Sequence, residues 1–154
     1  MNCLQLALGA LALVAFASPV DAQNLFMNGD MEDCPATPHN TAPTGWGSDS
    51  SSAGIDCDYW ATGTDPGLYE GARSPRTQAG HVEGITQDVP TNIGGTYTVS
   101  FFVAGNGGLG EIRLDGRTGT LVGMGTIVPG FMEVTGSFVA TATTTAVYIG
   151  TDLR

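Results

Sequence analysis

Beyond residue 23 the chain has no apolar stripe of helical period; its apolar residues instead recur at every second position in short runs. Gly, Thr, Ser, Asn and Pro interrupt those runs every few residues. In "TYTVSFFV" (96–103) the residues Tyr97, Val99, Phe101 and Val103 share one side, and Thr98, Ser100 and Phe102 share the other. "EIRLD" (111–115) turns Ile112 and Leu114 inward and Glu111, Arg113 and Asp115 outward. "AVYIG" (146–150) pairs Val147 with Ile149, while "FMEVTG" (131–136) and "GSFVATA" (136–142) are weaker strands. Short strands without helices predict an all-β protein built as an antiparallel sandwich or barrel.

The segments between the runs read as turns. "TNIGG" (91–95) and "AGNGGLG" (104–110) flank the Tyr97 strand, and "DGRTG" (115–119) offers Asp-Gly for a tight reversal. Residues 35–58 differ, with three prolines and clustered serines. A loop of that length in a compact domain is functional or tied down. "GITQDVP" (84–90) poses a narrower question, because Gln87 shares a side with Ile85 and Val89. The amide is either buried and satisfied by its neighbours or part of a ligand-facing surface.

The opening "MNCLQLALGALALVAFASPVDAQ" is apolar from residue 4 to 17, is broken by Pro19, and has small residues before a cut after Ala22. It reads as a signal peptide over 1–22, too short to span a bilayer, so the mature protein is expected to be secreted and soluble. Removing 22 of 154 residues leaves one domain of 132, residues 23–154. Without Asp21, fourteen acidic side chains face five arginines, a net charge near −9. Nucleic acid and anionic membrane are poor partners for such a surface, whereas a neutral ligand or a divalent cation fits it. Cys34 and Cys57 remain. In an oxidising compartment an isolated pair points to one disulfide, which would staple the 35–58 loop and contribute roughly 3 kcal/mol. A metal site would need more ligands nearby, and only His39 is close.

Four stretches, in order along the chain, resemble carbohydrate-binding modules of families 4 and 9. These are "NLFMNGDMED" (24–33), "PTGWG" (43–47), "EGITQDVPTNIGGTYTVSFFVAG" (83–105) and "MEVTGSFVATATTTAVYIG" (132–150). In that family the first stretch is an N-terminal strand. The resemblance implies a galactose-binding-like jelly roll, a neutral oligosaccharide or polysaccharide as ligand, and one structural Ca²⁺. Met31 stands where the family has Phe, and Asp152 is the one carboxylate of a closing motif that usually carries two. Calcium wants six to eight oxygens, and in a jelly roll the first and last strands lie together. Asp30, Glu32 and Asp152 are therefore the candidate metal ligands. The same fold also serves extracellular adhesion and matrix proteins, so a protein partner is the alternative.

Sugar rings stack on aromatic side chains and hydrogen-bond planar amides, carboxylates and arginine. "DCDYWATGTDPGLYEGARSPR" (56–76) concentrates such groups. Tyr59, Trp60 and Tyr69 are the candidate stacking residues, and Glu70, Arg73 and Gln87 the candidate hydrogen-bonding ones. Trp46, among glycines, is expected to pack in the core. No catalytic set emerges: the bases available are His39 and His81, and there is no Gly-x-Ser-x-Gly elbow. The chain is read as a non-enzyme.

Overall fold

The computed structural model describes residues 23–33, 41–50 and 81–154. These residues form seven antiparallel strands and no helix: β1 (Gly47–Ser50), β2 (Val82–Pro90), β3 (Thr96–Val103), β4 (Leu109–Leu114), β5 (Thr120–Thr126), β6 (Met132–Val139) and β7 (Thr144–Asp152). Five strands make one sheet in the order β1-β2-β7-β4-β5, and β3 pairs with β6 in a second. The all-β, two-sheet expectation is met. "FMEVTG" and "GSFVATA" form one continuous strand rather than two, with alternate residues Val134, Gly136 and Phe138 buried.

Register explains the core. Ile85 lies opposite Ile149, and Ile149 opposite Ile112, so three branched side chains align across β2, β7 and β4 on one face. Val89, Val147, Val99, Val134 and Phe138 join them in one buried cluster drawn from both sheets. Ile112 and Val147 have no exposed surface, and each such side chain contributes roughly 1.5–3 kcal/mol by leaving water. Tyr97 and Phe138, paired across β3 and β6, stack with centroids 5.5 Å apart.

The two sheets meet most closely where β5 passes β6. A side chain at Gly123 would strike the backbone of Thr135 and Gly136, at 2.7–2.9 Å, and one at Gly136 would strike Val122. Two glycines thus permit a backbone-to-backbone approach that any other residue would push apart. The reversal at Asp115-Gly116 has positive φ at both residues, 63° and 85°, as a tight Asp-Gly turn requires.

The N-terminal segment departs from the strand that the family resemblance implied. Residues 23–33 contain no strand and form a turn over 27–30, where Asn28 and Met31 carry positive φ. Asn28 explains the shape. Its amide donates to the carbonyls of Asp33 (2.9 Å) and Thr44 (3.0 Å) and accepts from the Asp33 N–H (3.0 Å). Such local side-chain bonding competes with strand pairing. Trp46 fills the core beneath this turn as expected, stacked on Phe26 at 5.1 Å and donating through Nε1 to the Asn28 carbonyl at 3.2 Å.

Candidate functional site

Gln87 is buried, and its amide is fully engaged with backbone. Nε2 donates to the carbonyls of Met27 (3.0 Å) and Gly45 (2.8 Å), and Oε1 accepts the Met27 N–H (2.8 Å). Both amide protons are used. The side chain pins the N-terminal turn and the Gly45 turn to the middle of β2, which is the buried, satisfied alternative of the two that the strand pattern left open. The arrangement offers no donor to a sugar.

The opposite face of the five-stranded sheet, turned away from β3 and β6, is where polar chemistry gathers. Register places Asp49, Gly84, Gly150 and Glu111 side by side in one row on this face. The next row holds Thr86, Tyr148 and Arg113, and the row on the other side holds Val82, Asp152 and Leu109. Among the described residues, three ion pairs lie here. Glu111 and Arg113 form a two-pronged pair at 2.8 and 3.1 Å, and Arg113 also donates to the Gly119 carbonyl. Asp152 accepts from Arg154 at 2.6 and 2.9 Å. Asp49 accepts the Arg117 N–H at 2.6 Å and its Nε at 3.4 Å.

The sequence pattern turned Glu111 outward, and it does point away from the core, yet it is 5% exposed. Its burial is tolerable because Arg113 supplies a bidentate partner. The same pairing raises the Arg113 pKa, with the Glu111 hydrogen bond as the main cause. The hydrogen bond from Arg154 likewise holds the Asp152 carboxyl below its ordinary value.

Tyr148 lies at the centre of this face with no exposed surface. Its ring rests on the backbone of Gly84 and Gly150, where any added Cβ would collide with it. Its hydroxyl reaches Gly150, beside Glu111, and finds no hydrogen-bond partner among the described residues. Burial first, and then the charges of Asp49 and Glu111, push its pKa well above the ordinary phenol value. The group stays neutral and keeps a proton to donate. Sequence reasoning missed it, because parity alone marks Tyr148 as an outward residue.

At the end of the face, Gly108, Leu109, Asp152 and Arg154 line an open depression of about 580 Å³. That is within the usual size range of ligand clefts, which run from ~300 to ~1,000 Å³.

The remaining candidates divide plainly. Cys34, His39, Cys57, Tyr59, Trp60, Tyr69, Glu70, Arg73 and residues 1–22 lie outside the described residues. Asp30 is exposed and accepts the Glu32 N–H at 3.4 Å, on the turn that docks at the Gln87 row. Asp152 sits at the Val82 row, five residues along β2, or about 17 Å of strand. The last strand, β7, lies between β2 and β4 rather than against the N-terminal segment. Among the described residues no three His, Cys, Asp or Glu side chains converge on a common point. No described helix is long and apolar enough to cross a membrane. The chain matches no protein-family model and no curated protein.

Proposed function

We propose that the protein is a secreted, non-catalytic carbohydrate-binding domain with jelly-roll topology that recognises a neutral glycan. The observation that carries this reading is the outer face of the five-stranded sheet. There, carboxylate–guanidinium pairs at Glu111–Arg113 and Asp152–Arg154 adjoin an open depression on rigid strands. Planar charged groups of both signs, held in place by one another, suit the mixed donor and acceptor demands of sugar hydroxyls. Tyr59, Trp60 and Tyr69 would add the stacking surfaces, and Glu70 and Arg73 further hydrogen bonds. Gln87 would act by holding the fold rather than by touching the sugar. A Cys34–Cys57 disulfide would tie the loop that precedes the aromatic cluster.

Affinity electrophoresis through soluble glucans, xylans and galactans tests the reading. Retardation by one of them, lost in Trp60→Ala, is the supporting result; uniform migration through all of them overturns it. A calcium site joining Asp30 and Glu32 to Asp152 would require the N-terminal turn to leave the Gln87 row for the Val82 row, about 17 Å along β2, and the Asp152 carboxylate to exchange Arg154 for the cation. A rise in Tm when calcium is added to chelator-treated protein supports that site, and an unchanged Tm removes it.

One observation favours an adhesion or matrix scaffold as the second reading. Leu121 and Met124 on the edge strand β5, with Val128 just beyond it, are large apolar side chains exposed to solvent. Exposed apolar edges mark protein contacts. Retention on a column of extracellular matrix proteins, abolished by Met124→Asp while the glycan panel stays negative, supports this reading over the first.

A further inference from the structure

Of the polar groups on the outer sheet face, the Tyr148 hydroxyl stands apart. It is buried, neutral, able both to donate and to accept, and unpartnered among the described residues. An unmade hydrogen bond of this kind is destabilising, and removing the oxygen would relieve that cost with hardly any loss of packing. A phenylalanine would fill the bed between Gly84 and Gly150 equally well. Packing on the glycines therefore accounts for the ring and not for the hydroxyl.

The surroundings define what could meet that hydroxyl. Asp49, Glu111 and Asp152 are matched one for one by Arg117, Arg113 and Arg154. Asp88 shares this face one row beyond Thr86, but the three carboxylates nearest the hydroxyl are each engaged by a guanidinium, so an ion entering beside Tyr148 meets no unpaired opposite charge to offset its desolvation. A neutral hydroxyl has no such penalty and can take either role in a hydrogen bond. The hydroxyl points along β7 toward Asp152, one same-face step of about 7 Å beyond Gly150. Asp152 and Arg154 belong to the wall of the open depression, and the Arg154 side chain is 69% exposed, an arm that can swing aside without disturbing the sheet.

We infer that the Tyr148 hydroxyl is the floor of a polar subsite that accepts one hydroxyl or hydroxymethyl group of a neutral sugar, entered from the depression at Asp152 and Arg154. The inference rests on the carbohydrate-binding reading and names the residue on the sheet that would set specificity within it. Discrimination follows from burial: a ligand lacking the matching hydroxyl leaves the phenol as it is, whereas the matching ligand satisfies it.

The experiment compares the full chain with Tyr148→Phe by calorimetric titration with cellohexaose, xylohexaose and β-1,4-galactotetraose, with Tm measured for both proteins. The expected result is that the variant melts at the same or a higher temperature and binds the preferred oligosaccharide at least tenfold more weakly. Equal affinity of both proteins overturns the subsite and leaves the carbohydrate reading standing. No binding by the unaltered chain overturns both. Should the variant fail to fold, the ¹³Cζ resonance of Tyr148 in tyrosine-labelled wild-type protein decides. A shift on saturation with the bound oligosaccharide supports the subsite; an unmoved resonance, or one that responds equally to water structure-makers such as sulfate, overturns it.

Discussion

Gly84 and Gly150 face each other across the β2–β7 ladder, and the ring of Tyr148 occupies the bed left by their missing side chains. Each strand alone would read as weakened at its glycine. Paired, the two positions form a slot on the sheet surface one aromatic ring wide. Alanine at either site would drive Cβ into the ring and also against a backbone carbonyl across the ladder, that of Ile149 from Gly84 and that of Glu83 from Gly150. Gly84→Ala and Gly150→Ala are each expected to destabilise by about 1–3 kcal/mol, the range for overfilled cores. Combining Gly84→Ala with Tyr148→Ala should destabilise by less than the two single changes summed, because the clash with the ring is gone while that with the Ile149 carbonyl, 2.5 Å from the added Cβ, remains. Urea denaturation of the four proteins measures this; strict additivity would show that the ring and glycine do not interact.

Tyr148 also predicts the alkaline limit of the fold. Burial raises its pKa, with Asp49 and Glu111 adding to the effect and Arg113 and Arg117 opposing it. A phenol that ionises later in the folded state than in the unfolded one contributes stability that is complete below about pH 10. That contribution is lost as the pH climbs through the folded value. Unfolding at pH 11 should therefore be accompanied by uptake of base and a rise in phenolate absorbance near 295 nm. The chain has four tyrosines. In Tyr148→Phe the fall in Tm between pH 9 and pH 11 should be shallower than in the wild type; equal slopes would place the alkaline limit elsewhere.

What the sequence discloses here follows from where side chains alternate by chemistry. Ile85, Val99, Ile112, Val134, Val147 and Ile149 stand at every second position of their strands, and all six are in the core. Two strands escape that rule. In β5 the glycines at 123 and 125 face close approaches to β6, so the inward positions are empty and the strand lacks the apolar rhythm that would reveal it. In β1, "GSDS" has no apolar residue at all and is held by pairing with β2 and by Asp49. The buried outer face was equally hidden. Glu111 and Tyr148 are outward by parity, and neither the Arg113 pair that engages Glu111 nor the bed of Gly84 and Gly150 under Tyr148 follows from the alternation within one strand.

Gln87 was legible as a question, and the structure answers it in a form that mutation can test. Leucine has the volume of the amide but leaves the Met27 N–H and the carbonyls of Met27 and Gly45 without their partner. Gln87→Leu should cost about 1–3 kcal/mol, less where Met27, an exposed residue, recruits water. Gln87→Glu should be worse near neutral pH than below pH 4, since an ionised carboxylate cannot donate to either carbonyl and a protonated one can donate to one of them. Hydrogen exchange at Met27 reports the change directly. Protection retained in Gln87→Leu would mean that the turn is held by Trp46 and Asn28 alone.

Asp49 and Arg117 tie the sheet crosswise. Asp49 belongs to the edge strand β1, Arg117 to the turn between β4 and β5, and two strands, β2 and β7, lie between them in the sheet. The contact includes the Arg117 backbone N–H at 2.6 Å, so the carboxylate matters more than the guanidinium. Both side chains are about one-third exposed, which limits the ion pair itself to at most about 1 kcal/mol and makes it sensitive to salt. The backbone bond is shielded better. Asp49→Asn keeps an acceptor for the N–H and should lower stability only slightly, Arg117→Gln similarly, and Asp49→Ala by about 1–2 kcal/mol because both bonds are lost. The local effect should exceed the global one: β1 has four residues and a single neighbouring strand, so its amides should exchange at least tenfold faster in Asp49→Ala while those of β7 do not. Uniform acceleration across both strands would show that the latch stabilises the whole domain rather than fastening its edge.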